Sequence, residues 1–116
     1  MMSVTRLKPH TRALYQREMA AAKAASTADQ RSRHLERAHI VSQPDPWLHT
    51  CTHAAMLVMA LRQRDRREAL GQVVRLVVAA PGSFSGRYPP GNTGRVAAGL
   101  MTPMSVPGDL AAQLST

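Results

Sequence analysis

The segment Gln43-Pro44-Asp45-Pro46 interrupts a stretch that is otherwise helical in character. Proline has no backbone N–H to donate and disfavours helix in the residue before it, so a helix arriving at Gln43 has to stop. Asp45 can then cap a new helix, and Pro46 suits a first helical position. The chain is therefore expected to fold back on itself as two helices, one over about Ala28 to Ser42 and one over about Pro46 to Arg64.

Four of the five histidines flank this break, His34 and His39 before it and His49 and His53 after it. Counting outward from the turn sets His39 opposite about His49, and Glu36 opposite about His53. His49 and His53 are four residues apart, so both imidazoles project from one helix face, the spacing that two ligands of one metal require. Imidazole and carboxylate form a hard-to-borderline donor set for a divalent transition metal. The predicted site is thus Glu36, His39, His49 and His53, with Zn²⁺ as the first choice of ion and His34 in reserve. It could close around a tetrahedral ion, or use three protein ligands and leave one position open. Cys51 lies on the far side of the helix from His49 and His53, which disfavours it as a ligand. Met56 and Met59 could suggest a softer metal, but Met within a helix is more often packing. A purely structural role uses the same residues, with imidazoles capping carbonyls or Glu36 pairing with His39 along one helix.

Known motifs limit the chemistry further. A zincin helix needs Glu directly after the first histidine of the pair, and Thr50 stands there. Di-iron bundles use Glu-x-x-His twice with two further glutamates, whereas Glu36-x-x-His39 occurs once in a chain with seven acidic residues. No nucleophile–base pair and no cofactor loop is visible, so an enzyme is the least supported class.

Elsewhere, Pro9 and an Ala-rich run to Ala25 predict a first helix. Thr27 with Gln30 fits a capping box before the second. On the third, Trp47, Cys51, Ala54, Val58 and Leu61 form one stripe. His49, His53, Met56 and Ala60 form another, as expected of a helix sandwiched between neighbours. Asp65 caps a fourth helix that is expected to reach about Ala80 at the Pro81-Gly82 stop, with Leu70, Val73, Val74 and Val77 as its apolar stripe. From there on lie five of the eight prolines and six of the seven glycines, so residues 81–116 read as an irregular tail. Gly91-Asn92-Thr93-Gly94 is a turn signal, and a short helix is expected over about Pro107 to Leu114. Apolar residues such as Val96, Leu100, Met101 and Leu110 predict that the tail packs back on a helical core at 9–80, making one domain of 1–116.

With only 3% aromatic residues, the core must be built from Ala, Leu, Val and Met, which favours an all-α fold over a sandwich or barrel. Leu35 and Leu70 correspond at an offset of 35, near the tetratricopeptide period, so two antiparallel helix pairs are expected in a tetratricopeptide-like or four-helix arrangement. A protein-interaction module without metal is the alternative function. The net charge of +8 comes mainly from arginines spread along the chain, and without a stacking platform nucleic acid is not expected as a partner. One cysteine, no secretory signal and no apolar run of spanning length point to a cytoplasmic protein.

His34-Leu35-Glu36-Arg37-Ala38-His39-Ile40, His49-x-x-x-His53, Gly71-Gln72, Arg75, Gly86-Arg87 and Gly91-Asn92-Thr93-Gly94 together resemble a family of small bacterial helical proteins catalogued as a domain of unknown function. The resemblance runs from about Thr11 to Leu110. Some members are encoded beside cation-efflux transporters and metal-responsive regulators, which implies a role in metal handling and a protein partner there. Members often carry a bulky aromatic residue where Ala54 stands, and Cys51 falls outside the pattern. The close match at Gly91 to Gly94 implies a fixed docking geometry for the tail.

Overall fold

A computed structural model describes residues 6–79, 91–96 and 103–115. The Pro81-Gly82 stop signal and the tail residues Leu100 and Met101 lie outside them. Among the described residues the fold is all-α. Helices α1 (Pro9–Ala24), α2 (Ala28–Ser42), α3 (Pro46–Arg62) and α4 (Arg66–Val74) follow in order. A π-helical turn, Arg75–Ala79, extends α4, and α5 (Gly108–Leu114) is the last described helix. α1 packs against α2, α3 against α4, and α2 against α3 across the hairpin.

The helix ends follow from local chemistry. Thr27 Oγ1 accepts from the Gln30 amide at 3.1 Å. Asp45 Oδ1 accepts from the Trp47 and Leu48 amides, each at 3.1 Å, so the residue between the two prolines starts α3. Asp65 accepts from the Glu68 amide at 3.0 Å and starts α4. At the end of α1, the Ala25 amide donates to the Ala22 carbonyl, and Arg31 adds hydrogen bonds to the carbonyls of Ala22 and Ala25, where the helical ladder runs out.

Leu14, Tyr15, Ala38, Ile40, Val41, Leu48 and Leu110 form one buried cluster, and Ala22, Leu35, Met56 and Met59 form a second. His39 lies between Leu35 and Val41 along α2, and His49 and His53 lie between Leu48 and Met56 along α3. On α3 the histidines therefore lie where one apolar cluster gives way to the other, while on α2 His39 is flanked by Ala38 and Ile40 of the first cluster.

Two apolar stripes expected inside face outward. Trp47 and Leu61 on α3 are 66% and 62% exposed, so this stripe is uncovered, although α3 packs against both α2 and α4 through the rest of its surface. On α4, Leu70 is 68% exposed and Val77, in the π turn, 70%. The inward face of α4 is instead Glu68, Ala69 and Gln72. These polar groups are buried because hydrogen bonds satisfy them, which hydrophobic spacing alone does not reveal.

Candidate metal centre

The hairpin brings three of the four expected ligands together. His39 Nε2 lies 2.9 Å from His49 Nε2 and 3.1 Å from His53 Nε2, and the third side of the triangle is 3.0 Å. His49 and His53 are one turn apart on α3, and His39 reaches them from α2. Among the described residues, these three form a group whose donor atoms lie close enough together to hold a metal ion. All three are buried.

Glu36 is not drawn into this group. It is three residues before His39, so it projects about 60° to one side of that ring. Its carboxylate stands 3.8 Å from Arg95 Nη1, and burial raises its pKa. His34 turns to α1, with Nδ1 2.8 Å from Glu18 Oε2. Cys51 lies apart from the group, and Met56 and Met59 pack in the second apolar cluster.

The groups behind the rings fix their protonation. His39 Nδ1 lies 2.6 Å from the Asn92 carbonyl oxygen, which can only accept. His39 therefore carries its proton on Nδ1. Gln72 Nε2 donates to Glu68 Oε2 at 2.6 Å and to the Gly94 carbonyl at 2.8 Å, which orients its amide. Gln72 Oε1 then accepts from His53 Nδ1 at 2.7 Å. His53 is also an Nδ1–H tautomer. In their neutral forms both rings point a bare Nε2 lone pair at the centre of the triangle. His49 Nδ1 has no hydrogen-bond partner among the described residues.

Electrostatics keep the rings neutral. Burial pushes the His39 pKa well below its ordinary value, and His53 and His49 push it further. His49 is lowered to about 3, by burial and then by His53. His53 is lowered to about 4, chiefly by burial, with the Gln72 bond opposing. Neutral imidazole is the form that binds metal.

The outer partners were not foreseen as site residues, although Gly71-Gln72 and Gly91 to Gly94 were among the segments that carried the resemblance. Asn92 and Gly94 come from the tail, and the conformation of this turn requires glycine. Gly94 has φ +82°, and a Cβ there would lie 2.5 Å from His39 Cδ2. Gly91 has φ +74°, and a Cβ there would collide with the Met104 carbonyl. Glu68 Oε1 accepts from the Val96 amide at 3.1 Å and stands 3.0 Å from Arg95 Nε. A chain of contacts thus runs from Arg95 through Glu68 and Gln72 to His53. Carboxylates and carbonyls behind metal-binding histidines set ring orientation and basicity in this way.

Among the described residues no helix is long and apolar enough to cross a membrane. No curated protein and no solved structure matches the chain. The family model that does match covers residues 9–114, nearly the whole chain including all three histidines and their outer partners, and the protein belongs to that family, described as a protein of unknown function (DUF3703).

Proposed function

We propose that His39, His49 and His53 bind one divalent transition-metal ion through their Nε2 atoms. The protein then serves as a buffer, carrier or accessory in metal handling. The observation that carries this is the pair of fixed tautomers. His39 and His53 aim lone pairs at each other across 3.1 Å, and no proton is available to lie between them. A cation bonded to both turns that repulsion into attraction. With metal–nitrogen bonds of about 2.0–2.1 Å, an ion would sit roughly 1 Å above the plane of the three nitrogens. Zn²⁺ is the first choice, because it accepts three imidazoles and a fourth, exchangeable ligand. Glu36 stands outside this ligand set.

The test is elemental analysis of protein purified without an affinity tag, followed by Co²⁺ titration monitored through its ligand-field bands. One equivalent of metal and one set of bands are expected, and His53→Gln is expected to abolish both. Absence of metal, bands and thermal stabilisation in the native protein would reject the proposal.

A second function has one observation in its favour. A groove of about 480 Å³ between α1, α2 and α3 has Met19, Leu35 and Met59 in its lining and Lys23 and Arg62 among its cations. A tetratricopeptide-like module could seat a partner segment there without metal. In that case, replacing His49 and His53 by Gln leaves partner capture intact.

A further inference from the structure

The segment Gly91–Val96 is a strap laid over the histidine triad, and the contacts that hold it are largely those that organise the triad. Its Asn92 carbonyl receives the His39 Nδ1–H, and its Gly94 carbonyl receives the Gln72 amide that also holds His53. Arg95 Nε stands 3.0 Å from Glu68, the carboxylate that orients Gln72, and Arg95 Nη1 donates to Ser32 Oγ at 2.7 Å. The Arg95 carbonyl accepts from Arg75 Nη2 at 3.1 Å, and the Val96 amide donates to Glu68. Val96 is the one aliphatic side chain in the strap. It fits against Gly71, where a Cβ would collide with it. Docking of this segment therefore depends on polar contacts more than on apolar burial.

Those polar contacts depend on what lies between the rings. A cation on Nε2 draws electron density from the imidazole and makes Nδ1–H a stronger donor, which tightens the bonds to Asn92 and Gln72. Without a cation, the lone pairs of His39 and His53 repel, and a turn of His39 away from His53 breaks its bond to the strap. Two events that favour each other thermodynamically do so reciprocally, so whatever holds the strap down also raises the affinity of the site.

We propose that the Gly91–Val96 strap docks when the triad holds a divalent metal and loosens when the metal leaves, and that Arg95 is the clasp through which docking sets metal affinity. This rests on the metal-binding function proposed above. Arg95 touches none of the three ring nitrogens in the triangle, so it acts by positioning Glu68 and, through Gln72, His53.

The experiment uses the full chain with Zn²⁺ as the probe, in three forms: native, Arg95→Ala and Arg95→Lys. Hydrogen exchange is followed by mass spectrometry with and without Zn²⁺, and affinity is measured by competition with a chromogenic chelator. In the native chain, Zn²⁺ is expected to slow exchange within 91–96 while the middle of α1 changes little. Arg95→Ala is expected to lose that protection and to bind Zn²⁺ about 10- to 100-fold more weakly. Its helical circular dichroism should match the native chain, and Arg95→Lys should recover part of both effects. If stoichiometric Zn²⁺ binds but exchange in 91–96 stays the same, or if Arg95→Ala binds as tightly as the native chain, the strap coupling is overturned and the metal site stands. If no Zn²⁺ binds, both fall together. An Arg95→Ala chain without native helicity is replaced in the comparison by Arg95→Lys, whose affinity has to lie below that of the native chain.

Discussion

At the scale of single residues, the triad combines two anchored rings with one that is not. His39 and His53 are locked through Nδ1 by Asn92 and Gln72, while the buried Nδ1 of His49 has no partner among the described residues. In the metal-free protein His49 can donate Nε2–H toward the lone pairs of its neighbours, but one proton serves two acceptors poorly. Charging any ring in this buried place is costly, which is why His49 and His53 are lowered to about 3 and about 4. In the unfolded chain they titrate at their ordinary value of 6.5. Between those limits the unfolded state binds protons that the native state does not. Stability from these groups is therefore complete above about pH 6.5 and is lost as the pH falls toward 4, at up to about 1.4 kcal/mol per pH unit for each ring. Thermal unfolding of the metal-free protein is accordingly expected to show a melting temperature that falls between pH 7 and pH 5. A double replacement of His49 and His53 by Gln should make that profile shallower, with buried His39 left to contribute, and a flat profile in the native chain would show that the rings are not held neutral. That His39, His49 and His53 would meet was legible in the sequence, because each lies a countable distance from one turn. Glu36 was placed in the site by the same count, but the count ignores the angle around the helix. Gln72, Asn92 and Gly94 reach the rings from 19 or more residues away, and no local spacing reports that.

At the scale of elements, helix existence and helix starts were legible, and the buried faces were only partly so. The starts of α2, α3 and α4 are written in Thr27, Asp45 and Asp65, whose side chains accept amides in the first turn as such caps do. The end of α4 was less legible, since the expected helix to about Ala80 becomes a π-helical turn after Val74. Its inward face was misjudged because hydrophobic periodicity assumes that apolar residues mark the inside. Here Gln72 is fully buried and Glu68 nearly so, while Leu70 is 68% exposed. Satisfied polar groups support the site from within, and the apolar stripe is left on the surface. The two assignments predict different stabilities for one substitution. With Leu70 on the surface, Leu70→Gln is expected to change unfolding free energy by less than about 0.5 kcal/mol in a denaturant titration. A core leucine exchanged for a polar residue would lose several times that. A large loss would therefore restore the stripe to the interior.

At the scale of the whole molecule, an all-α chain of paired helices was legible from composition and from the proline break, because few aromatic residues and many alanines leave little else to build with. That Leu110 would pack the last helix on the core was legible, but not which residues of the bundle it would meet, since a seven-residue helix has no stability of its own and takes its place from what it packs against. Among the described residues, both apolar and polar contacts tie α5 to the bundle. Leu110 is fully buried with Leu14, Tyr15, Ile40 and Leu48. Asp109 pairs with Arg37 at 2.9 Å, and His10 Nε2 lies 2.9 Å from the Gln113 carbonyl. The two polar contacts are open to solvent and screened, whereas the leucine is enclosed, so apolar burial is the dominant force holding α5. Leu110→Ala is therefore expected to cost about 2–5 kcal/mol, by lost transfer energy and by the cavity left among its neighbours. Asp109→Ala should move the denaturation midpoint far less, and raising the salt concentration should not mimic Leu110→Ala. Urea titrations of the two variants at low and high salt separate these causes. If Asp109→Ala is the more damaging, or if salt alone reproduces the Leu110→Ala loss, then charge and not burial holds α5 in place.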